Sequence, residues 1–342
     1  MTKKQTNGLI VAAVIFVVVG IISVVSNVLA SRVAKKETET GLSSVMEELY
    51  GSSFSALSDM PVTRDFIAVV PIEGTIQAST GTSGLYGALD SYNHELLIEY
   101  VNRLIESDCN KGIILRLDTP GGTVYEADEL YLKLMEYKEK TGRPIWAYME
   151  STCCSGGVYI ASAADEEIAN RITTTGSIGV IISTYDMSGL YEKLGIKQVN
   201  IVSAKNKDMG SSGKPMTEEQ LAIYQGVVDE YYERFVEIVA QGRDMSVEDV
   251  KKLADGRIYT STQALDNGLI DDIMTADEFD SYVRVTSGVD SFYEPKSSGG
   301  YLAGLFGSLS SAKEKSEAEV LVDLMNQLGS GVPMYYAEPV GK

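Results

Sequence analysis

The sequence predicts an α/β fold of repeated strand-turn-helix units with an N-terminal transmembrane helix. Three features lead there. An uncharged apolar run lies close to the N-terminus; two successive segments each pass from a buried-strand pattern through a glycine turn into helical spacing; and 44% of the 342 residues are hydrophobic, enough to bury a sizeable core.

Lys3 and Lys4 precede the apolar run Leu9 to Val25, and no further charged residue occurs before Arg32. A helix needs about 20 apolar residues to cross a bilayer, so this run is long enough, whereas a signal peptide usually has an apolar core of about 7–15. Val28-Leu29-Ala30 could pass as a cleavage site, but an uncleaved anchor is the preferred reading. Arg32, Lys35 and Lys36 balance the lysines in front, so the charge rule alone leaves the topology open. A long domain behind a single early span is usually translocated regardless of its charge. The expectation is therefore a single-pass protein of the cell membrane, with residues 1–36 as cytoplasmic start and anchor, 37–64 as a polar spacer, and the rest extracytoplasmic.

Order is expected from Ile67. The run Ile67 to Ile76 reads as a buried strand ending in a turn, followed by a Gly/Ser/Thr-rich loop from Gln77 to Ser91. The first repeated unit is the strand Gly112 to Asp118, the turn Thr119-Pro120-Gly121-Gly122-Thr123, and a helix with apolar positions at Ala127, Leu130, Leu134 and Tyr137. In the second, the strand Pro144 to Met149 leads through Ser151 to Gly157 into a small-residue helix containing Ile160, Ala161, Ala163 and Ala164. Two such units in succession are what a layered α/β core requires. Gly176 to Ile182 reads as a further turn and strand, Met216 to Gln241 as a long helix opened by a capping box at Thr217-Glu218-Glu219-Gln220, and Val247 to Ala254 as a shorter helix. A helix near Thr262 to Asn267 and a strand near Leu269 to Met274 complete the pattern, with one amphipathic stretch, Ala312 to Leu328, in the tail.

Composition excludes several functions. A net charge of −19, from 29 basic and 48 acidic side chains, disfavours a phosphate-binding surface and hence nucleic acid as partner. Cys109, Cys153 and Cys154 form neither a disulfide framework nor a metal-ligand spacing, so no metal and no cofactor is expected. The single histidine, His94, stands in a polar stretch without a motif and reads as a solvated surface residue, which leaves no visible Ser-His or Cys-His pair.

A hydroxyl nucleophile needs a base, oxyanion donors and exposure at a sharp turn. Ser155 stands before Gly156-Gly157 at a strand-to-helix junction, where the following N–H groups are unobstructed, and the Gly121-Gly122 turn would add a donor if the two strands are neighbours. A Ser-Gly-Gly turn is by itself more often only a turn. Without a usable histidine the remaining base is a lysine kept neutral by burial. Lys205, Lys207 and Lys214 share one Ser/Gly-rich loop, and their pattern does not choose among them.

From about Ile67 to Ile273 the chain resembles the signal peptide peptidase A family, bacterial Ser-Lys peptidases of the Clp protease/crotonase fold. Six blocks carry the likeness in order: Val69 to Ile76, Leu117 to Gly122, Ser155 to Ile160, Thr175 to Val180, Ser203 to Asp208, and Ala254 to Tyr259. The resemblance implies that Ser155 is the nucleophile, Lys207 the general base and Ser177 the residue that holds the lysine amine, with the N–H groups of Gly122 and Gly156 as the oxyanion hole. It implies a peptidase domain over 65–285 and a flexible tail over 286–342. It also implies a membrane-bound homo-oligomeric ring, an octamer in the family, with active sites where subunits meet, acting on remnant signal peptides and other apolar peptides. The chain departs from the family at Cys153 and Cys154, where alanine is frequent and the thiols read as buried fillers, and at Asp118-Thr119, which replaces Asn-Ser before the Pro-Gly-Gly turn. The tail segment Val332 to Ala337, extended and apolar, is expected to be able to occupy an active site as a self-substrate. Two rival readings are a crotonase-like acyl-coenzyme A enzyme, disfavoured by the membrane span, and a non-catalytic membrane-tethered scaffold.

Overall fold

The computed structural model describes residues 57, 60–78 and 92–295, together with the backbone of 334–336. The expected membrane span, most of the spacer and of the 77–91 loop, and the amphipathic stretch at 312–328 lie outside the described residues. Among the described residues no helix is long and apolar enough to cross a membrane.

The expected units are present and share one sheet. Its centre is three parallel strands, β1 (Phe66–Glu73), β2 (Asn110–Thr119) and β4 (Ile145–Cys154), in the order β1-β2-β4. Their apolar residues run nearly without interruption, as expected for strands covered on both faces. Phe66, Ala68, Val70 and Ile72 of β1 join one core, and Ile67 and Val69 the other. The larger core lies under α1 (His94–Glu106), α2 (Val124–Thr141), α3 (Gly156–Ala161) and α5 (Glu218–Gly242); α4 (Ser188–Lys193) buries no residue. The opposite face is closed by α8 (Ala276–Ser287), where Phe279 stacks on Tyr148 with ring centroids 4.7 Å apart.

Beyond its middle, β4 forks. Trp146 to Met149 pair with β5 (Glu166–Ala169), while Thr152 to Cys154 pair with β6 (Thr174–Gly176). The chain then passes through α6 (Val247–Leu253), β7 (Ile258–Thr260), α7 (Ser261–Asp266) and β8 (Asp272–Ile273). The fork separates the end of β4 from its flat neighbours and leaves Ser155 at the tip of one prong.

Several readings need correction. The strand expected from Gly176 to Ile182 lies earlier, at Thr174–Gly176, because Gly176 and Ser177 both take positive φ, 91° and 53°, and turn the chain out of the ladder before the apolar residues begin. His94 is not a solvated surface residue. Asn93 caps α1 through its side chain, which turns His94 inward, where its ring bonds Tyr92 Oη and Glu129 at 2.7 Å each. The fold also continues past residue 285, since β9 (Phe292–Tyr293) adds a short parallel strand to β1, and it begins before residue 65, since Leu57 is already buried in the core. The capping box at Thr217 and Gln220 is present.

One buried acid shapes stability. Glu167 on β5 is fully enclosed, and burial pushes its carboxyl up to about 7; Arg243 approaches at 3.6 Å but commits its guanidinium to Asp271 at 2.6 and 2.8 Å. A carboxyl raised in the fold contributes stability at low pH that is lost as pH rises through the folded value. Glu167→Gln is therefore expected to gain in Tm over the native chain at pH 8 and to lose most of that gain at pH 5, with about 2–4 °C read for each kcal/mol in a domain of this size. Thermal unfolding at the two pH values measures it, and a gain independent of pH would contradict the assignment.

Candidate active site

The second unit places Ser155 in a conformation that few side chains accept. With φ 53° and ψ −113°, it sits between the end of β4 and the first residue of α3, so the chain reverses at that one residue. Two contacts hold it. Ser155 N–H donates to the Gly176 carbonyl at 2.8 Å, and the Ser155 carbonyl accepts from Tyr159 N–H at 3.0 Å. The side chain is buried, and Oγ has no hydrogen-bond partner among the described residues. A buried hydroxyl without a partner is costly for a structural serine, which points to a site whose chemistry uses it.

The same hydrogen bond brings Ser177 in. It follows Gly176 directly, shares the positive φ of Ser155, and donates its N–H to the Arg257 carbonyl at 2.7 Å. Gly176 is required there, because a side chain would meet the Tyr259 ring at 2.6 Å and the Arg257 carbonyl at 2.8 Å.

β2 and β4 are neighbours, so the two glycine turns converge. Thr119 pairs with Cys153, and a Cβ on Gly156 would lie 3.3 Å from Gly122 N. Gly122 is locked between Ile76 and α3: Ile76 N–H donates to Gly121 O and Thr123 N–H to Ile76 O, both at 2.9 Å. A Cβ on Gly122 would stand 1.8 Å from Ile76 O, so no other residue fits. Successive residues of an extended strand point their amides to opposite edges, so Gly122 N–H faces away from Ile76. The residues that depart from the family, Asp118 and Thr119, serve this turn. Thr119 Oγ1 donates to the Gly74 carbonyl and accepts from Gly121 N–H, while Asp118 Oδ1 accepts from Thr152 N–H at 2.9 Å.

On the free edge of β3 (Gly121–Thr123) lies β10 (Met334–Tyr336), antiparallel, with Met334 opposite Thr123, Tyr335 opposite Gly122 and Tyr336 opposite Gly121. An extended piece of chain thus runs beside the glycine turn that faces Ser155.

Lys207 is not brought to Ser155 within the chain. It is exposed on the loop after α4, its N–H bonded to the Ala204 carbonyl at 3.1 Å. The neighbouring lysines are committed elsewhere, Lys205 to Glu219 and Lys214 to Asp208, each at 2.7 Å. Cys153 and Cys154 fill space behind the turn, and burial raises both thiols, Cys154 to about 12 and Cys153 well above its ordinary range. Neither offers a thiolate.

Comparison with known proteins gives the family. The model of peptidase family S49 matches residues 137–290, which include Ser155, Ser177 and Lys207. A putative signal peptide peptidase SppA of Enterococcus faecium is 36% identical over 255 residues, covering 74% of this chain and 73% of that protein. The chain belongs to peptidase family S49. It is a serine peptidase, a hydrolase. A putative protease of Synechocystis is 36% identical over 204 residues, 60% of this chain and 73% of its own, and the chloroplastic serine protease SPPA of Arabidopsis thaliana is 32% identical over 209, or 61% and 30%. In this S49 chain the glycine turn at Gly122 precedes the matched segment.

Burial of Cys153 and Cys154 gives a direct check on the packing behind Ser155. Iodoacetamide at pH 8 is expected to modify only Cys109, which is partly exposed, in the native protein, and all three cysteines after urea unfolding, as counted by intact mass. Rapid labelling of Cys153 or Cys154 in the native state would contradict it.

Proposed function

We propose that the chain is a membrane-anchored endopeptidase that degrades remnant signal peptides and other apolar peptides by a Ser155–Lys207 dyad completed between two subunits. The observation that carries this is the buried hydroxyl of Ser155, without a hydrogen-bond partner among the described residues, on a strained turn where the Gly122 and Gly156 backbones converge.

In this reading Ser155 Oγ forms a bond to the peptide carbonyl carbon while Lys207 Nζ takes its proton. The carbonyl oxygen, now negative, accepts from Gly122 and Gly156 N–H, an arrangement in which each donor contributes about 10²–10³ in rate. Collapse breaks the C–N bond, the amine leaves with the proton from Lys207, and water, activated by the same amine, releases the acyl group from Ser155. Ser177, next to the Gly176 carbonyl that holds Ser155, orients the amine. The base must be uncharged, and burial favours that form.

Burial of Lys207 by a second copy is supported by the segment that carries it. Leu190, Leu194, Ile196, Val199 and Ile201 are all exposed there, Ile201 almost completely at 99%. Exposed apolar side chains gathered in one segment suit an interface, and a homo-oligomeric ring, with eight members in the family, would cover them and carry Lys207 to the neighbour's Ser155. The fold would be that of the Clp protease and crotonase. Residues 1–36 would form the anchor, and the extracytoplasmic peptidase domain would run from before residue 65 to past residue 285, followed by a tail whose strand at 334–336 would take the place of a peptide substrate.

A single experiment separates the dyad from its alternatives. Ser155→Ala and Lys207→Ala are each expected to abolish hydrolysis of a fluorogenic apolar peptide and to keep an intact C-terminus, whereas the native chain trims its own tail. Subunits of the two variants assembled together recover both activities, to about one quarter of native, because half of the serines and half of the lysines meet independently at a symmetric interface. No recovery in mixed assemblies would place the base in the same chain as the nucleophile, and full activity of either single variant would end the proposal.

A further inference from the structure

A cavity of about 880 Å³ opens beside β3, lined by the first turn of α2 and by the middle of α5. Its carboxylates are Glu126 and Asp128 from α2 and Glu230, Glu233 and Glu237 from α5, and among the described residues the only cation in its wall is Arg234. Few of these charges are neutralised. Arg234 lies 3.9 Å from Glu237, and Lys251 reaches Glu233 from outside at 2.7 Å. Glu126 and Asp128 are held in place by hydroxyls, those of Thr123 and Tyr159.

The second observation is the strand seated at its mouth. Thr123 lines the cavity and is also the residue opposite Met334, the N-terminal end of β10. Since β10 runs antiparallel to β3, a peptide laid on β3 in the same direction passes its N-terminal residues over Thr123 toward the acidic wall, while the residue facing Gly122 lies at the turn beside Ser155.

We infer that this cavity is a specificity subsite for a lysine or arginine side chain placed N-terminal to the cut, so that the preferred substrate is an apolar stretch preceded by a cation. The inference rests on the proposed peptidase function and deepens it. A long flexible cation suits the site, because its apolar stem can cross Val124 and Tyr159 while its head meets the carboxylates.

The test uses the full-length protein and internally quenched apolar peptides with Lys, Gln or Glu two to five residues before the cut. For the native chain the ratio of kcat/KM for the best Lys peptide to its Glu counterpart is expected to be about fivefold or more, the size that partly exposed charge pairs give, and to shrink as salt is added. In Glu230→Gln/Glu233→Gln/Glu237→Gln, all exposed positions on α5, the ratio falls toward one. Binding of the same peptides, read by fluorescence polarisation, is measured alongside. Equal affinity for Lys and Glu peptides, or a ratio unchanged by the triple variant, overturns the inference whether or not either peptide is cut; a binding preference without any cutting upholds it and overturns the peptidase reading alone.

Discussion

The hydrogen bond from Ser155 N–H to the Gly176 carbonyl is the constraint on which the site depends. A serine with φ 53° costs free energy, of order 1–3 kcal/mol, and persists only where its surroundings over-determine it. Here they do. The forked end of β4 fixes the residue before it, α3 begins at the residue after it, and the Gly176 carbonyl, itself turned by a positive φ, holds the amide between. Ser177 takes the same backbone angle one residue later, so one bond aligns two hydroxyl residues from different units of the fold.

Close packing around that bond explains the run of small residues. Gly122, Gly156 and Gly157 each leave less room than a methyl group needs, against Ile76 O, Gly122 N and Thr119 Cγ2. Asp118 and Thr119 bind the backbone of neighbouring turns. The cysteines are part of the same packing, buried behind Ser155, and burial raises both thiols.

Much of this was legible in the sequence because the periodicity of the two units is strong and their glycines fall at the turns. Ser155, Gly122 and Gly156 could be singled out, and the structure brings the glycines together because β2 and β4 pair. Other features were hidden. His94 looks polar in context, yet the Asn93 cap turns it into the core, a tertiary effect that a local reading does not contain. The apolar residues after Gly176 resemble a strand, but two positive φ angles divert them. The helix at 276–287 and the strand at 292–293 carry weak patterns and are fixed by Phe279 and Val283 packing on the far face of the sheet. Lys207 could be chosen only by resemblance, since three lysines share one loop and their pattern does not distinguish them. The acidic cavity could not be read at all, because α2 and α5 are about a hundred residues apart and meet only in the fold.

The account stands on Ser155 Oγ being the reactive atom. Treatment of the full-length protein with a serine-phosphonylating reagent, followed by peptide mapping, measures this most directly. One adduct per chain on Ser155, with Ser177 and all other serines unmodified and peptide hydrolysis lost in proportion, is the predicted result. Hydrolysis that survives complete modification of Ser155, or an inactivating adduct on another residue, would contradict it.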